Sequence, residues 1–115
     1  MAFIYLASPY THTQQSVMQM RHDVVARLTA ELLRAGEFIY SPIVHCHELA
    51  VKYDLPRDIS FWENYNRAML SQARELRILQ LPGWKNSNGI AFEIGVAKQH
   101  GIPITFIEPR NNRGL

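Results

Sequence analysis

Cysteine is almost missing: Cys46 is the only one in 115 residues, so the chain cannot close a disulfide on itself. A lone thiol suits a reducing compartment, and the expected location is cytoplasmic. No apolar run approaches the ~20 residues of a membrane span, and Met1 to Tyr10 lacks the basic start and apolar stretch of a secretion signal, so no membrane is expected as a partner. Charge is sparse as well. Lys and Arg number 12 against 10 for Asp and Glu, a formal charge of +2, too small and too scattered for a long-nucleic-acid footprint. There is no low-complexity tract, internal repeat or Gly/Ser linker. The chain therefore divides into elements and not into several domains: one domain over residues 1–109, then a tail over 110–115.

What is present is core-forming material. Hydrophobic residues make up 47% and charged residues 19%, a balance that excludes disorder as the main state. A chain this long buries roughly two-thirds of its unfolded surface and folds without covalent staples.

Ala2 to Ala7 is nearly all apolar and stops at Ser8-Pro9, as a buried strand does before a residue that cannot donate to a ladder. From Thr13 to Ala35, Val17, Met20, Val24, Leu28 and Leu32 fall three or four apart, with Gly36 placed for a left-handed stop. The spacing predicts a long amphipathic helix. Phe38 to Tyr40 repeats the strand-then-Ser-Pro pattern at Ser41-Pro42. Ile43 to Asp58 reads as a loop with about one or two helical turns, because Pro56 interrupts it. Ser60 with Glu63 has the form of a capping box, opening a helix that runs through Phe61, Tyr65, Ala68 and Met69 to about Ala73. Leu76 to Leu81 is a third apolar run, Ser87-Asn88-Gly89 opens a helix ending at Gly101, and Ile102 to Ile107 is a last strand. Apolar strands alternating with helices imply an α/β fold of Rossmann or flavodoxin type: three layers, with a small parallel sheet of about four strands flanked by helices.

In such sheets ligands bind beyond the carboxyl ends of the strands, where the strand order reverses. Ser8 to His12, Ser41 to His47 and Pro82 to Glu93 should converge there. On composition alone the third segment reads first as a turn, with Gly83 and Gly89 bending the chain and Ser87 or Asn88 capping a helix. The same small residues also leave backbone N–H groups free to meet an anion. Glu93 lies among Ala91, Phe92, Ile94 and Gly95, where an unpaired charge needs a purpose. Tyr5, in the first strand, reads by default as a packed core tyrosine; a hydroxyl turned toward the strand's carboxyl end would instead donate to that carboxylate, orienting it and keeping it ionised. His12, His45 and His47 lack carboxylates in a recognisable metal spacing, so no metal or other cofactor is expected. Trp62 and Trp84 suit a pocket, an interface or the core equally.

Tyr5-Leu6-Ala7-Ser8-Pro9-Tyr10, Tyr40-Ser41-Pro42, Trp62, Leu81-Pro82-Gly83-Trp84, Ser87, Gly89 and Glu93-Ile94-Gly95 together resemble the nucleoside 2-deoxyribosyltransferase-like superfamily, and within it the domain-of-unknown-function family 1937. The resemblance spans Ile4 to about Ile107. It implies that Glu93 attacks the anomeric carbon of a nucleoside or nucleotide with Tyr5 in support, and that Ser8, Pro9, Tyr10, Asn66, Ser87, Asn88 and Gly89 bind the substrate. A glutamate so placed captures an oxocarbenium-like sugar covalently, and water or a second base resolves the intermediate with retention. It also implies a homodimer or homotetramer in which a neighbour completes the pocket; the 110–115 tail either reaches across to that neighbour or is frayed. Two positions depart from the pattern. Asn66 and Ser87 stand where the transferases carry aspartates that handle the proton on the leaving base, and neither side chain titrates for that task.

The expected function is an N-glycosidase, a hydrolase or deoxyribosyltransferase of a small nucleoside or 5'-monophosphate, with hydrolysis favoured. The alternative is a non-catalytic nucleotide-binding or sensing module with the same pocket. A phosphoribohydrolase with a Pro-Gly-Gly loop fits less well, because Trp84 takes the second glycine's place.

Overall fold

The computed structural model describes residues 2–56 and 58–109; the expected tail over 110–115 lies outside them. In chain order the elements are β1 (Ile4–Ala7), α1 (Gln15–Arg34), β2 (Ile39–Tyr40), α2 (Pro42–Lys52), α3 (Ile59–Leu70), β3 (Glu75–Leu79), α4 (Asn88–Gln99) and β4 (Ile104–Ile107). A short 3-10 turn, Trp84–Asn86, joins β3 to α4. All three ladders are parallel, and the strands lie in the order β2-β1-β3-β4. From β1 the chain winds to β2 on one side and then returns to β3 on the other, so the order reverses between β1 and β3 as in doubly wound flavodoxin-like sheets. The α/β architecture of four strands in three layers is as the sequence implies.

Strand alternation divides the core in two. Tyr5, Ala7, Leu76 and Ile78 pack with Leu70 of α3 and with Ile90, Val96 and Ala97 of α4. Leu6 and Leu79 pack on the opposite face with Val24, Val25 and Leu28 of α1 and Ile43 of α2. All four residues of β1 are buried, which is why the first strand reads as a continuous apolar run. β2 is only two residues long and half-buried, as suits a sheet edge that must not recruit another strand.

Several boundaries differ from the sequence reading by a residue or two at strand and helix ends, and four differences have more weight. Pro42–Lys52 is a helix of 11 residues and not a loop with a turn or two. Ser41 accepts a hydrogen bond from the Val44 N–H and Pro42 takes the first helical position, where its missing N–H costs nothing. The capping box at Ser60 does not form, because Asp58 is the N-cap and the Ser60 hydroxyl donates to its carboxylate. α3 stops at Leu70, three residues before Ala73. β4 starts at Ile104, since Pro103 cannot donate to a ladder. Gly36 does adopt the left-handed conformation after α1, at φ +89°. Among the described residues no helix is long and apolar enough to cross a membrane.

Ile78 lies fully buried in a central strand. Ile78→Ala is expected to lower unfolding free energy by about 3 kcal/mol through lost burial plus a cavity. Leu33→Ala, at a residue 53% exposed on α1, should change it by no more than about 0.5 kcal/mol. Urea denaturation of both variants checks the assignment of core and surface.

Candidate active site

β1 delivers the first half of the site. Its pleat turns Tyr5 toward α3 and α4, and Ser8-Pro9-Tyr10 leave the strand at the edge where the order reverses. Glu93 supplies the other half. It shares the inward stripe of α4 with Ile90, Val96 and Ala97, a position that would ordinarily hold an apolar side chain. The Tyr5 hydroxyl donates to Glu93 Oε2 at 2.6 Å, and the two groups are 5% exposed or less.

Burial decides the charge state of this pair. Desolvation pushes the Glu93 carboxyl up to about 7, against the lowering effect of the Tyr5 hydrogen bond. The expectation that Tyr5 keeps Glu93 ionised is therefore corrected: the bond helps, but the loss of water outweighs it. Tyr5 is itself held well above the usual phenol range by burial and by the negative charge of Glu93. Its proton stays in place, and the hydroxyl remains a donor at any working pH.

Above the pair lies a cavity of about 430 Å³, the size of a small-ligand pocket. Ser8, Pro9 and Tyr10 line it from the β1 loop, and Ser87, Asn88, Gly89 and Glu93 from the start of α4. Ile59, Trp62 and Asn66, on successive turns of α3, form another wall. The structure thus brings every sequence-assigned site residue except Tyr5 into the lining of one cavity, and Tyr5 is hydrogen-bonded to Glu93.

Ser87 has two duties. Its Oγ accepts from the Ile90 N–H at 3.2 Å as the N-cap of α4, so the capping reading holds, and the hydroxyl still has a proton to donate into the cavity. Ser8 Oγ and Asn66 Oδ1 are different: both are buried, and among the described residues neither has a hydrogen-bond partner. Orphaned polar atoms are rare in folded proteins. Two of them beside one carboxylate mark a surface shaped for a polar ligand.

Several lining groups carried no periodic signal. His47 is 2% exposed and joins three elements, with Nδ1 at 2.6 Å from the Tyr10 hydroxyl and Nε2 at 2.9 Å from Gln19 Oε1. Arg21 reaches from α1 to the carbonyls of Tyr10, Thr11 and Pro82, tying the loops after β1 and β3 together. Gly83 permits that approach, since it turns at φ +94° and a Cβ there would stand 3.0 Å from Arg21 Nη2. Trp62 lines the cavity, whereas Trp84 packs beside the core and against Phe106. His22 stacks on His47 with ring centroids 4.4 Å apart, His12 accepts from the Gln14 N–H, and His45 lies against Tyr40 and Tyr65. Among the described residues no group of three His, Cys, Asp or Glu is placed to hold a metal ion.

Residues 2–108 match the sequence model of a family described as a domain of unknown function, DUF1937. No curated protein matches the chain.

Because the folded state raises the Glu93 pKa from its ordinary 4.5 to about 7, the native protein holds a proton that the unfolded chain releases. Its stabilising effect is complete below about 4.5 and is lost as pH rises through about 7. Glu93→Gln removes this dependence while keeping an oxygen for Tyr5. The variant should gain roughly 3 kcal/mol on the parent between pH ~4 and pH ~8, as measured by urea denaturation at the two values. A stability difference that does not change with pH would contradict the burial assigned to the carboxyl.

Proposed function

The chain belongs to the DUF1937 family, and within that family we propose that it is an N-glycosidase of a small nucleoside or nucleoside 5'-monophosphate, working by hydrolysis in preference to transfer. One observation carries the reading: a fully enclosed glutamate, oriented by a tyrosine at 2.6 Å, opens onto a cavity at the point where the strand order reverses.

The steps follow from the residues. Tyr5 engages Oε2 of Glu93, leaving Oε1 to attack the anomeric carbon. As the C–O bond forms, the bond from that carbon to the base nitrogen breaks, and its electron pair leaves with the base. Water then attacks the same carbon, and the glutamyl ester breaks to return the carboxylate. Two displacements give net retention. The attacking water loses one proton as the sugar hydroxyl forms and the departed base gains one from water, so the sum is nucleoside plus water to sugar plus free base.

A carboxylate poised near neutrality stabilises developing positive charge on the sugar better in a dry site than one dissolved in water. A 5'-phosphate fits the Ser8 hydroxyl and the open N–H groups of Asn88 and Gly89 at the start of α4. This arrangement needs no basic surface, which agrees with a net charge of only +2. A cytoplasmic nucleotide pool is the matching source of substrate, and a homodimer or homotetramer in which a second subunit covers the mouth is the matching assembly.

A second reading has its own support. Neither Asn66 nor Ser87 carries a side chain that titrates, so neither can act as the acid that gives the leaving base a proton. A pocket that binds a nucleotide without cleaving it would have that composition.

A panel of nucleosides and 5'-monophosphates, followed by chromatography of free base, separates the two. The parent should release base at a rate that climbs as pH rises through about 7, where Glu93 ionises. Glu93→Ala should be slower by a factor of about a thousand or more. Equal release by both proteins would sink the nucleophile assignment. No release, with one nucleotide raising the melting temperature, would favour the binding module.

A further inference from the structure

Resting on the glycosidase reading of the cavity, we propose that the Tyr10 hydroxyl takes the proton of the attacking water in the second displacement and passes its own proton to His47. Tyr10 is then a catalytic residue, and His47 a positioning residue that holds the proton behind it. The mechanism fixes where such a pair must stand. In a double displacement water enters on the side of the sugar that the nucleobase has left, opposite the glutamyl ester, so the group that activates it belongs across the cavity from Glu93.

The two faces of the sheet provide the two sides. Glu93 rises with Ile90, Val96 and Ala97 of α4, on the face that carries Tyr5. Tyr10 packs with the core of the opposite face, and His47 stands on α2 one turn beyond Ile43 of that same core. Glu93, Tyr10 and His47 all line the cavity, which lies across the strand ends between them. Asn66 on α3 and Ser87 at the start of α4 belong to the side of Glu93.

The hydrogen bonds set the direction of proton flow. Gln19 Nε2 donates to Asp23 Oδ1 at 3.0 Å, and since a carboxylate only accepts, the amide must turn its Oε1 to His47. His47 Nε2 therefore donates to that oxygen, 2.9 Å away. A neutral imidazole with its proton on Nε2 has its lone pair on Nδ1, where the Tyr10 hydroxyl donates at 2.6 Å. With its proton directed to Nδ1, the Tyr10 oxygen is an acceptor for water. His22, stacked on His47 at 4.4 Å and 3.1 Å from the same Asp23 oxygen, holds the ring in this orientation.

The step balances. The water oxygen bonds to the anomeric carbon as that carbon's bond to the Glu93 oxygen breaks, and the electron pair returns to the carboxylate. One water proton moves to Tyr10 while the proton of Tyr10 moves to Nδ1, leaving an imidazolium. The same path in reverse delivers that proton to the hydroxide left where the departed nucleobase drew its own from water, and His47 is neutral again. Water is thereby favoured as the acceptor, which is why hydrolysis outruns transfer.

The test is how the glycosyl-enzyme partitions between water and azide, an anion that attacks with no proton to lose. Deoxyadenosine, deoxyguanosine, deoxycytidine, thymidine and their 5'-monophosphates are screened for base release by the parent. The one cleaved fastest is then turned over at fixed azide by the parent, Tyr10→Phe and His47→Gln. The ratio of sugar azide to free sugar should rise about a hundredfold in both variants, since each slows the attack of water and spares azide. A ratio that does not change in either variant would overturn the inference, while base release by the parent would still uphold the glycosidase. A merely structural role would slow both products together and so leave the ratio where it was. Release from none of these substrates by the parent removes the glycosidase, and the inference with it. Should His47→Gln not fold, the ratio in Tyr10→Phe alone decides.

Discussion

The hydrogen bond from Tyr5 to Glu93 joins the first strand to the last helix, and the cavity is organised around it. To form, it needs β1 held in the interior of the sheet with β2 and β3 on either side, and α4 laid across the face toward which Tyr5 points. Residues 88 apart in sequence meet at 2.6 Å only when the whole doubly wound topology is in place. The bond carries an electrostatic cost, since a carboxylate occupies a position on α4 that packing alone would give to an apolar side chain. The surrounding apolar core offsets that cost, and the outcome is a carboxyl that ionises near neutral pH.

The same tension recurs around the cavity. Ser8, Thr29, Ser41, His47, Asn66 and Glu93 are the buried polar side chains among the described residues. Two of them serve helices locally: Thr29 donates to the Val25 carbonyl, and Ser41 caps α2. The other four face the cavity, and among the described residues the Ser8 hydroxyl and the Asn66 side-chain oxygen have no hydrogen-bond partner. Four of these six buried polar residues thus gather at one end of the sheet. Sequences break local rules where a ligand restores the balance, and that concentration ties the chemistry to this end.

Much of the layout was legible. A fully buried parallel strand leaves a plain mark, as Ile4 to Ala7 shows, and Glu93 stood out because its neighbours are apolar. The segment after β2 was obscure because Ser41-Pro42 carries two meanings. It ends a strand, and it is also an N-cap serine followed by proline at the first helical position. His45, Cys46 and His47 then blur the apolar period of α2. At the start of α3, Asp58 precedes Ser60 by two residues and captures both the cap position and the serine hydroxyl. The link from Gln19 through His47 to Tyr10 could not be read, since it joins three elements with no shared spacing. Nor could the pKa of Glu93, because adjacent residue types do not say how completely water is excluded.

The claim that Glu93 is a nucleophile, and not merely a buried acid, is tested most directly by acid-quenching the protein during turnover of a deoxynucleoside or deoxynucleotide whose base it releases and weighing the peptide that contains residue 93. The account predicts a fraction of that peptide heavier by one deoxyribosyl group, absent when Glu93 is replaced by Gln. Base release with initial inversion at the anomeric carbon and no sugar on Glu93 would contradict it, since water would then be attacking the substrate directly.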